Sequence, residues 1–393
     1  MKKKILLVWP YRRADWIEVF DRMKDDFDFV FLSVIHPSFD EVQPPSYAEI
    51  IYWYSFQNAQ DVLNKVAPDK IIFMSLDSAL SIALNIAAKS AGIRTYILQH
   101  GIYSNYKDYR VRERQWRKKN VVKKVDAVKR EVKFSSVSFL VKSLKPSQRW
   151  MIVSFVLYTY WSRKKGYYWA SRYFSFSGKI PTYFLCFSPR NATIHKQIEK
   201  PRVEQLLYIG SPELDKFLVA EQPVTTDKFY LHIDQAFAEH SLGEELVSQA
   251  KMTDFYQTLN AFCKSHQAKL YIKLHPESYR TSWFPQDENI VYLKHTPNLS
   301  AYVQQAEGCF GFYSTMVIPA IYWKKVILFR LNYSFMQEQI EALKTAPVLN
   351  FWNFRLEDIS FDFEKENMEK FKLEFFYKTD GQSLQRLKDF LNA

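Results

Sequence analysis

A chain of 393 residues exceeds what a single hydrophobic core usually organises, which predicts two domains. The apolar share of 47% and the charged share of 24% are ordinary for a globular protein. The scattered cysteines, Cys186, Cys263 and Cys309, suit reduced core residues and exclude a disulfide framework or a zinc pattern. The lysine-rich N-terminus precedes only a short apolar run, and no run reaches transmembrane length, so neither secretion nor membrane spanning is expected.

The first third of the chain alternates apolar runs with helical patterns. Strands are predicted at 5–9, 27–35, 70–74 and 94–98, and helices at 15–23 and 78–91. Strands and helices that alternate with short connections predict a right-handed parallel α/β unit. The last of these strands runs into Gln99-His100-Gly101.

A basic, aromatic segment at 107–179 interrupts this alternation. It holds 20 lysines and arginines against four acidic residues, a net charge of +16 in a chain of +12, so the rest of the chain is slightly acidic. Cationic helices that carry Trp and Tyr suit the headgroup layer of an anionic bilayer, which favours a membrane-facing helical insertion. The alternatives are helices that only pack on the first lobe, or a nucleic-acid surface, although no nucleic-acid motif is present.

The alternating pattern returns after residue 179. Strands are predicted at 182–187, 205–209, 229–233, 270–274, 290–293, 308–312 and 325–330, and helices at 243–267, 299–306 and 315–323. We therefore predict two Rossmann-like lobes, an acceptor-side domain at 1–220 and a donor-binding domain at 228–393, joined by a linker at 221–227. Such a layout places its ligand crevice between the lobes, and the last helix is free to cross back to the first.

Polar residues follow two predicted strands of the second lobe, where a parallel sheet collects its ligands. His275-Pro276 follows 270–274, and the proline favours an extended exit that aims the imidazole at the crevice. Ser314-Thr315 follows 308–312 at a predicted helix start, where backbone N–H groups favour an anion. The ordinary alternatives are a core hydrogen bond for the histidine and a helix cap for the hydroxyl pair. Together these residues predict a nucleotide-donor phosphate site.

Further residues join this predicted site from neighbouring positions. Lys273 shares the face of His275 if the strand is regular, and Glu277 either meets a ribose or faces water. Gly210-Ser211 lies where the chain leaves the first lobe, and Gln235 follows the first strand of the second lobe. Both positions suit contact with the donor.

The histidine of Gln99-His100-Gly101, after the strand at 94–98, is the best candidate for a base. His100 would take the proton of an acceptor hydroxyl, since an imidazole ordinarily titrates near neutral pH, and Gly101 lets the chain turn there. Asp77, after the strand at 70–74, is the reserve base, or else a cap of the next helix.

Several nucleotide-binding motifs are missing from the chain. There is no Gly-x-Gly-x-x-Gly fingerprint, no P-loop and no Asp-x-Asp of the sort that would hold a divalent ion beside a diphosphate. Phosphate binding must then depend on side chains and helix ends, and we expect an enzyme that needs neither metal nor cofactor.

At these residues the chain resembles bacterial glycosyltransferases of the two-Rossmann (GT-B) type. More narrowly, it is similar to the group of lipooligosaccharide sialyltransferases and polysialyltransferases, capsule Kdo transferases and CDP-glycerol glycerophosphotransferases. The likeness spans about residues 71–101 and 206–331. It rests on four motifs in order: His100-Gly101, Gly210-Ser211-Pro212 with Asp215, Lys273-Leu274-His275-Pro276, and Ser314-Thr315.

The resemblance implies inverting, metal-independent transfer from a cytidine-nucleotide donor, with His275 and Ser314-Thr315 on the donor phosphate. The glycerophosphotransferases use the first-lobe His-Gly as base, which falls on His100. The sialyltransferases use a first-lobe carboxylate, for which this chain has no clear motif, so the base stays open. Glu277 stands where the teichoic acid enzymes usually carry a basic residue, which favours a CMP-activated sialic, pseudaminic or Kdo-type sugar.

The expected acceptor is a lipid-linked or surface glycan, of capsule or lipopolysaccharide. The expected location is the cytoplasmic face of the membrane, with 107–179 on the anionic lipid surface and no nucleic acid as partner. Two alternatives remain: a CDP-glycerol or ribitol phosphotransferase of the teichoic acid type, and a non-catalytic glycan or polyanion binder.

Overall fold

The computed structural model describes residues 2–11, 14–34, 43–120, 136–239, 247–296 and 298–393. The chain divides into two compact α/β units, unit 1 (Met1–Glu213 with Gln382–Ala393) and unit 2 (Leu214–Gly381). Each unit is built on its own parallel sheet. Among the described residues, none of the helices combines the length and the apolar character needed to span a bilayer.

Unit 1 contains a seven-stranded sheet with the order β3-β2-β1-β4-β5-β6-β7. The strands are β1 Lys3–Val8, β2 Phe27–Ser33, β3 Ala48–Tyr52, β4 Lys70–Phe73, β5 Arg94–Leu98, β6 Tyr183–Cys186 and β7 Leu206–Tyr208. The helices before β6 are α1 Ala14–Asp21, α2 Ala59–Val66, α3 Ala79–Ser90, α4 Tyr106–Asn120, α5 Ser136–Ser143, α6 Met151–Lys165 and α7 Tyr167–Tyr173, and α8 Thr193–Ile198 follows it. The strand order reverses between β1 and β4, where a doubly wound sheet opens its crevice.

The predicted insertion at 107–179 is helical in its described part, and its residues 121–135 lie outside the described ranges. Helix α5 packs onto α2 and α3 of unit 1. Phe139 and Leu140 of α5 and Phe155 and Tyr158 of α6 are all buried in the hydrophobic core of unit 1. The buried ammonium of Lys179 lies 3.7 Å from the Tyr158 ring centroid. Burial lowers the pKa of Lys179 to about 8. The insertion therefore shares the core of unit 1.

Unit 2 contains a six-stranded sheet with the order β10-β9-β8-β11-β12-β13. The strands are β8 Phe229–Ile233, β9 Lys269–Lys273, β10 Ile290–Leu293, β11 Cys309–Gly311, β12 Val326–Arg330 and β13 Val348–Asn350. The helices are α9 Gln249–Ser265, α10 Leu299–Gln305, α11 Val317–Trp323, α12 Gln337–Glu341 and α13 Met368–Phe375. The start of the predicted helix at 243–267 lies outside the described residues, and its described part begins at Gln249.

Aromatic side chains fill the core of unit 2 and enclose one histidine. His232 of β8 is fully buried, with its ring against Phe255 and Phe312. Burial lowers the pKa of the His232 imidazole to about 4. His232 is therefore a neutral core residue at physiological pH.

The structure divides the chain between Glu213 and Leu214, before the predicted linker at 221–227. Residues of that linker pack onto α10 of unit 2: the Val224 amide donates to Gln305 Oε1 at 3.0 Å, and the Glu221 amide donates to Gln304 Oε1 at 3.0 Å. The two glutamine side chains supply partners for backbone that a flexible linker would leave to water. This segment is therefore part of unit 2.

The last helix, α14 (Ser383–Asn392), belongs to unit 1. It buries Leu387 and Leu391 completely, and Arg386 Nε donates to the Ile209 carbonyl at 2.7 Å. Gly210 sits directly beneath this helix with a φ of 82°, where a Cβ would lie 2.2 Å from Ser383 Oγ. Gly210, which is predicted to contact the donor, thus allows α14 to pack closely against the backbone of this turn.

We expect Gly210→Ala to lower the free energy of unfolding of unit 1 by about 2 to 3 kcal/mol. A positive φ costs an L residue about 1 to 2 kcal/mol, and the added methyl group also displaces Ser383. Gly92→Ala is the matched control, because Gly92 has a φ of 75° with nothing within 4 Å of a Cβ. Urea unfolding of both variants separates backbone strain from the packing of α14, and equal losses would show that α14 does not need the glycine.

Candidate active site

The side chain of Gln99 holds the loop that follows β5. Its amide group donates to Gly101 O and to Asn191 Oδ1, both at 2.7 Å, and its Oε1 accepts from the Phe187 amide at 2.7 Å. Gly101 has a φ of 65°, which suits the residue without a side chain. Gln99 is buried and structural, so His100 is the residue that this loop presents at the carboxyl edge of the sheet.

An open cleft of unit 1 surrounds the half-buried imidazole of His100. The rings of Trp9 and Trp16 lie edge-on to it, with centroids 6.0 Å and 4.9 Å away. Nδ1 of His100 is 3.6 Å from Glu213 Oε1, within ion-pair distance but longer than a hydrogen bond. The cleft has an empty volume of 420 Å³, part of which is open solvent. An imidazole with a neighbouring carboxylate in an aromatic cleft is suited to accept a proton from a bound hydroxyl group.

Three residues of this cleft were missed by the sequence analysis: Trp9, Trp16 and Glu213. Trp9 directly follows β1, beside the reversal of strand order, so its strand-end position was a usable signal. Glu213 follows Gly210-Ser211-Pro212, but nothing local pairs it with a histidine so distant in the chain. Arg22 Nη1 donates to the Pro212 carbonyl at 3.2 Å and ties this turn to unit 1.

The predicted reserve base, Asp77, follows β4 and is exposed. It does not cap α3, because the Ser78 side chain accepts from the Ser81 amide at 3.1 Å. The Asp77 charge adds to burial in raising the pKa of Tyr158. Asp77 is not one of the residues that line the His100 cleft, and its catalytic role stays a prediction.

Ser211, the other predicted donor contact of unit 1, is buried next to Gly210. Its side chain is 2% exposed, and its hydroxyl finds no hydrogen-bond partner among the residues that the structure describes. Buried hydroxyl groups ordinarily have a hydrogen-bond partner, which is either protein or ordered water. Donor contact by Gly210 and Ser211 stays a prediction.

Asp234 organises the carboxyl edge of the sheet in unit 2, next to the reversal of strand order between β8 and β11. Its buried carboxylate accepts from the Tyr256 hydroxyl at 2.9 Å and from the amides of Ala236 at 3.1 Å and His275 at 3.4 Å. The carboxylate thereby joins the end of β8 to the segment after β9. Gln235, the neighbouring residue predicted to reach the donor, is half-buried.

His275 leaves β9 in extended backbone, with φ −67° and ψ 146°, as Pro276 predicts. Its Nδ1 accepts from the Glu277 amide at 3.3 Å. A neutral imidazole that accepts at Nδ1 carries its proton on Nε2. An N–H group of this kind is chemically suited to an anionic oxygen.

Lys273, predicted to contact phosphate, has partners within its own loop. Its ammonium donates to the Leu274 carbonyl at 2.7 Å and to the Tyr279 hydroxyl at 3.2 Å. Burial lowers its pKa, and the Asp234 charge opposes that shift. In this arrangement Lys273 braces the segment that carries His275. The Glu277 side chain is exposed, and contact of either residue with the donor stays a prediction.

Ser314 and Thr315 precede α11, but neither side chain caps it. The helix begins at Val317 with Met316 at the cap position, so the predicted start at Thr315 was two residues early. The amides of Val317 and Ile318 donate to the carbonyls of Ser314 and Thr315, so these two amides, predicted to hold an anion, are engaged within the turn. The capping alternative is thus wrong.

The Ser314 hydroxyl remains the chemically notable group of this turn. Its oxygen is buried, and no described residue offers it a hydrogen bond. Leaving a buried hydroxyl unsatisfied costs about 1 to 3 kcal/mol, a cost that a bound polar ligand or water removes. Gly311 of β11 and Lys273 of β9 both pair with Ile233, so this turn and the His275 segment follow strands that end level with each other.

Metal-ligand geometry is missing from the part of the chain that the structure describes. No group of three or more His, Cys, Asp or Glu side chains lies there in an arrangement that would hold an ion. The three cysteines are buried free thiols, and burial raises the pKa of each.

Solved structures of several enzymes share this two-unit architecture. The calicheamicin glycosyltransferase CalG4 matches with a TM-score of 0.53 and 12% identity, over 100% of this chain and 98% of that one. The wall teichoic acid polymerase TagF matches with a TM-score of 0.51 and 12% identity, over 100% and 88%. A UDP-GlcNAc 2-epimerase from Methanocaldococcus jannaschii matches with a TM-score of 0.50 and 11% identity, over 100% and 99%. At these identities the likeness shows the fold, two Rossmann-like lobes of the GT-B type, and leaves the reaction open.

Sequence similarity to a protein family adds to what the fold shows. A comparison with curated proteins gives no match. The model of the alpha-2,8-polysialyltransferase family, however, matches residues 55–332, a range that contains His100, His275 and Ser314. This chain therefore belongs to the alpha-2,8-polysialyltransferase family and is a glycosyltransferase with two Rossmann-like lobes.

Proposed function

We propose that this protein transfers an acidic ulosonic sugar, of the sialic, pseudaminic or Kdo type, from its CMP-activated form to a bacterial surface glycan, with inversion and without a metal ion. The observation that carries the proposal is the pair formed by His100 and Glu213 in an open cleft with two tryptophans. Inversion needs one base to activate the acceptor, and this pair is suited to that role. Membership of a polysialyltransferase family supports the choice of sugar.

The proposed reaction is a single displacement. His100 takes the proton of an acceptor hydroxyl, whose oxygen forms a bond to the anomeric carbon of the sugar. The bond between that carbon and the CMP phosphate oxygen breaks on the opposite side, and CMP leaves with the electron pair. Glu213 stabilises the imidazolium that forms at His100, since opposite charges 3.6 Å apart attract even when exposed.

The donor phosphate is assigned to unit 2. The Nε2–H group of His275 and the buried hydroxyl of Ser314 supply hydrogen-bond donors for its oxygens, and Asp234 fixes the segment that carries the imidazole. A hydrogen bond to a charged group contributes about 1.5 to 3 kcal/mol, so a few donors are enough to hold a leaving phosphate.

The proposed location of the enzyme is the cytoplasmic face of the membrane. A glycan that is still attached to its lipid carrier is available at the cytoplasmic face of the membrane, and the basic segment 107–179 supports peripheral attachment to that anionic surface.

A donor panel tests the proposal. Purified protein is incubated with CMP-activated sialic acid, pseudaminic acid and Kdo, with CDP-glycerol, and with an oligosaccharide acceptor, in the presence and absence of EDTA. We expect release of CMP and a product of inverted anomeric configuration by NMR, with the same rate in EDTA. Retention of configuration, or turnover that EDTA abolishes, would contradict the mechanism.

A second candidate function uses the same residues. Transfer of glycerol phosphate or ribitol phosphate from a CDP-alditol would also start with deprotonation of a hydroxyl by His100, and the histidine that follows β5 fits that chemistry. In the donor panel this candidate predicts release of CMP from CDP-glycerol and no reaction of the CMP-sugars.

We expect Glu213→Gln to lower kcat by about 5- to 30-fold while the KM for the donor stays unchanged. Two unit charges 3.6 Å apart attract each other by about 1 to 2 kcal/mol when the effective dielectric constant lies between half the value of water and the full value. This attraction exists only after His100 has been protonated, so its loss lowers kcat. Steady-state kinetics with variable donor and variable acceptor measure the effect. Because the carboxylate is partly exposed, the thermal stability should stay the same.

Glu18→Gln is the matched control for Glu213→Gln. Glu18 is an exposed residue of α1 that lines the same cleft, so its substitution removes the same charge without removing the carboxylate next to His100. Equal losses in the two variants would indicate a general effect of cleft charge and would contradict the specific role of Glu213.

A further inference from the structure

Helix α6 carries apolar side chains on the surface opposite to the one that it buries. Phe155 and Tyr158 are 6% and 2% exposed within the core of unit 1. Val153 and Leu157 are 63% and 44% exposed. A helix that is apolar all round is ordinarily enclosed on all sides, so the outer surface of α6 is suited to a second apolar environment.

The exposed apolar residues form one continuous stripe. Trp150, Val153, Leu157 and Tyr160 follow each other at steps of three and four residues, which places them on one side of the helix, and Val156 lies beside them. We call these five residues the α6 face. Single exposed apolar residues are normal on a protein surface, whereas a contiguous group marks an interaction site.

Basic residues precede and follow the α6 face along the chain. Residues 136–165 contain six lysines or arginines and no acidic residue: Lys142, Lys145, Arg149, Arg163, Lys164 and Lys165. All six are exposed. The Lys164 ammonium lies 5.2 Å from the Tyr160 ring centroid and donates to its hydroxyl at 2.9 Å, so this charge sits at the edge of the apolar stripe.

The apolar residues of the α6 face and the basic residues near it together indicate which kind of binding partner the face fits. Valine and leucine gain nothing from nucleic acid, where stacking rings and phosphate contacts dominate. An aliphatic centre, a Trp and a Tyr at its ends and a rim of positive charge match a bilayer with anionic headgroups. We propose that the α6 face lies on an anionic phospholipid surface, with Val153 and Leu157 among the acyl chains and the basic rim at the phosphates. This role rests on the proposed attachment of 107–179 to the membrane and identifies the surface that makes the contact, and it does not depend on the chemistry proposed for His100 and His275.

Binding to vesicles tests the proposal with the full-length protein. Co-sedimentation is measured with phosphatidylcholine vesicles and with vesicles that also contain phosphatidylglycerol. We expect the wild type to bind only the anionic vesicles. Val153→Ser combined with Leu157→Ser should weaken vesicle binding by about tenfold or more. Arg163→Gln combined with Lys164→Gln and Lys165→Gln should weaken it by about 100-fold, since each basic residue contributes about fivefold. Turnover of a water-soluble acceptor should not change in either variant, which separates this proposal from the transferase reaction.

Val203→Ser combined with Leu373→Ser is the matched control. These residues are 83% and 52% exposed and lie outside the α6 face, so this control variant should bind vesicles like the wild type. The depth of the contact is followed with a polarity-sensitive fluorophore on Val153→Cys, because the three native cysteines are buried and should not react. A blue shift on addition of anionic vesicles, and none with a label on Val203→Cys, is expected.

Three outcomes would overturn the proposal. The first is equal vesicle binding by the wild type and by the variant at Val153 and Leu157. The second is self-association of the wild type without vesicles that the same variant abolishes, together with no vesicle binding, which would assign the face to a second copy of the chain. The third is tight binding of RNA with no binding of vesicles.

Discussion

Replacement of His100 by alanine is expected to lower kcat by about 100- to 10,000-fold, because it removes the group that takes the proton of the acceptor. The KM for the donor should stay within about twofold, since the donor phosphate is assigned to residues of unit 2. Steady-state kinetics at saturating donor give kcat, and calorimetric titration with CMP gives the affinity of unit 2 for the leaving group. Added imidazole should restore part of the activity, because the cleft around His100 is open to solvent.

His266→Ala is the control for this experiment. His266 is an exposed histidine at the end of α9, and its removal should leave turnover unchanged. Full activity of the His100→Ala variant would contradict the role of His100 as base. Activity that vanishes in Asp77→Asn but persists in His100→Ala would move that role to the carboxylate after β4.

Replacement of His275 by alanine is expected to weaken the binding of CMP by about tenfold and to lower kcat/KM by about 10- to 150-fold. The loss corresponds to one hydrogen bond from a neutral N–H group to a charged phosphate, about 1.5 to 3 kcal/mol. A larger effect on kcat than on the affinity for the CMP-sugar would show that this contact strengthens as the phosphate leaves. Calorimetry with CMP and initial rates at varied donor concentration measure both quantities.

His275→Asn separates donor binding from local folding. The Nδ1 atom of His275 accepts from the Glu277 amide at the start of a short helical turn, and an asparagine oxygen is able to accept the same hydrogen bond. The asparagine variant should therefore keep the thermal stability of the wild type, yet bind CMP as weakly as the alanine variant does. Wild-type affinity for CMP in both variants would remove His275 from the site.

Local sequence patterns predicted the central strands of both described sheets and two of their four edge strands, β7 and β10. The runs at 94–98 and 229–233 coincide with β5 and β8, because central strands of a parallel sheet are apolar throughout. Strand β3 was missed, since only one of its five residues is buried. Such strands are defined by pairing with a neighbour, which no single stretch of sequence contains.

The candidate site could be predicted from the sequence only where its residues follow strand ends. His100 and His275 could be selected because polar residues that directly follow buried strands meet at the carboxyl edge of a sheet. The hydrogen bonds of Asp234, the partner at Glu213 and the unsatisfied hydroxyl of Ser314 could not, because each depends on residues from distant parts of the chain. The alternative of a helix cap at Ser314-Thr315 is wrong because the backbone turn satisfies the amides of Val317 and Ile318 itself.

By itself, the sequence determined the two α/β lobes, the basic helical insertion and the histidines at the ends of β5 and β9, since strand periodicity and the effect of a proline on the preceding residue act over a few residues. Only the tertiary structure decided that α14 packs on unit 1, that Glu213 lies next to His100 and that α6 buries one apolar face and exposes the other. The physical reason is that burial and ion pairing depend on distance in space, and residues far apart in the chain become neighbours only when the sheet assembles.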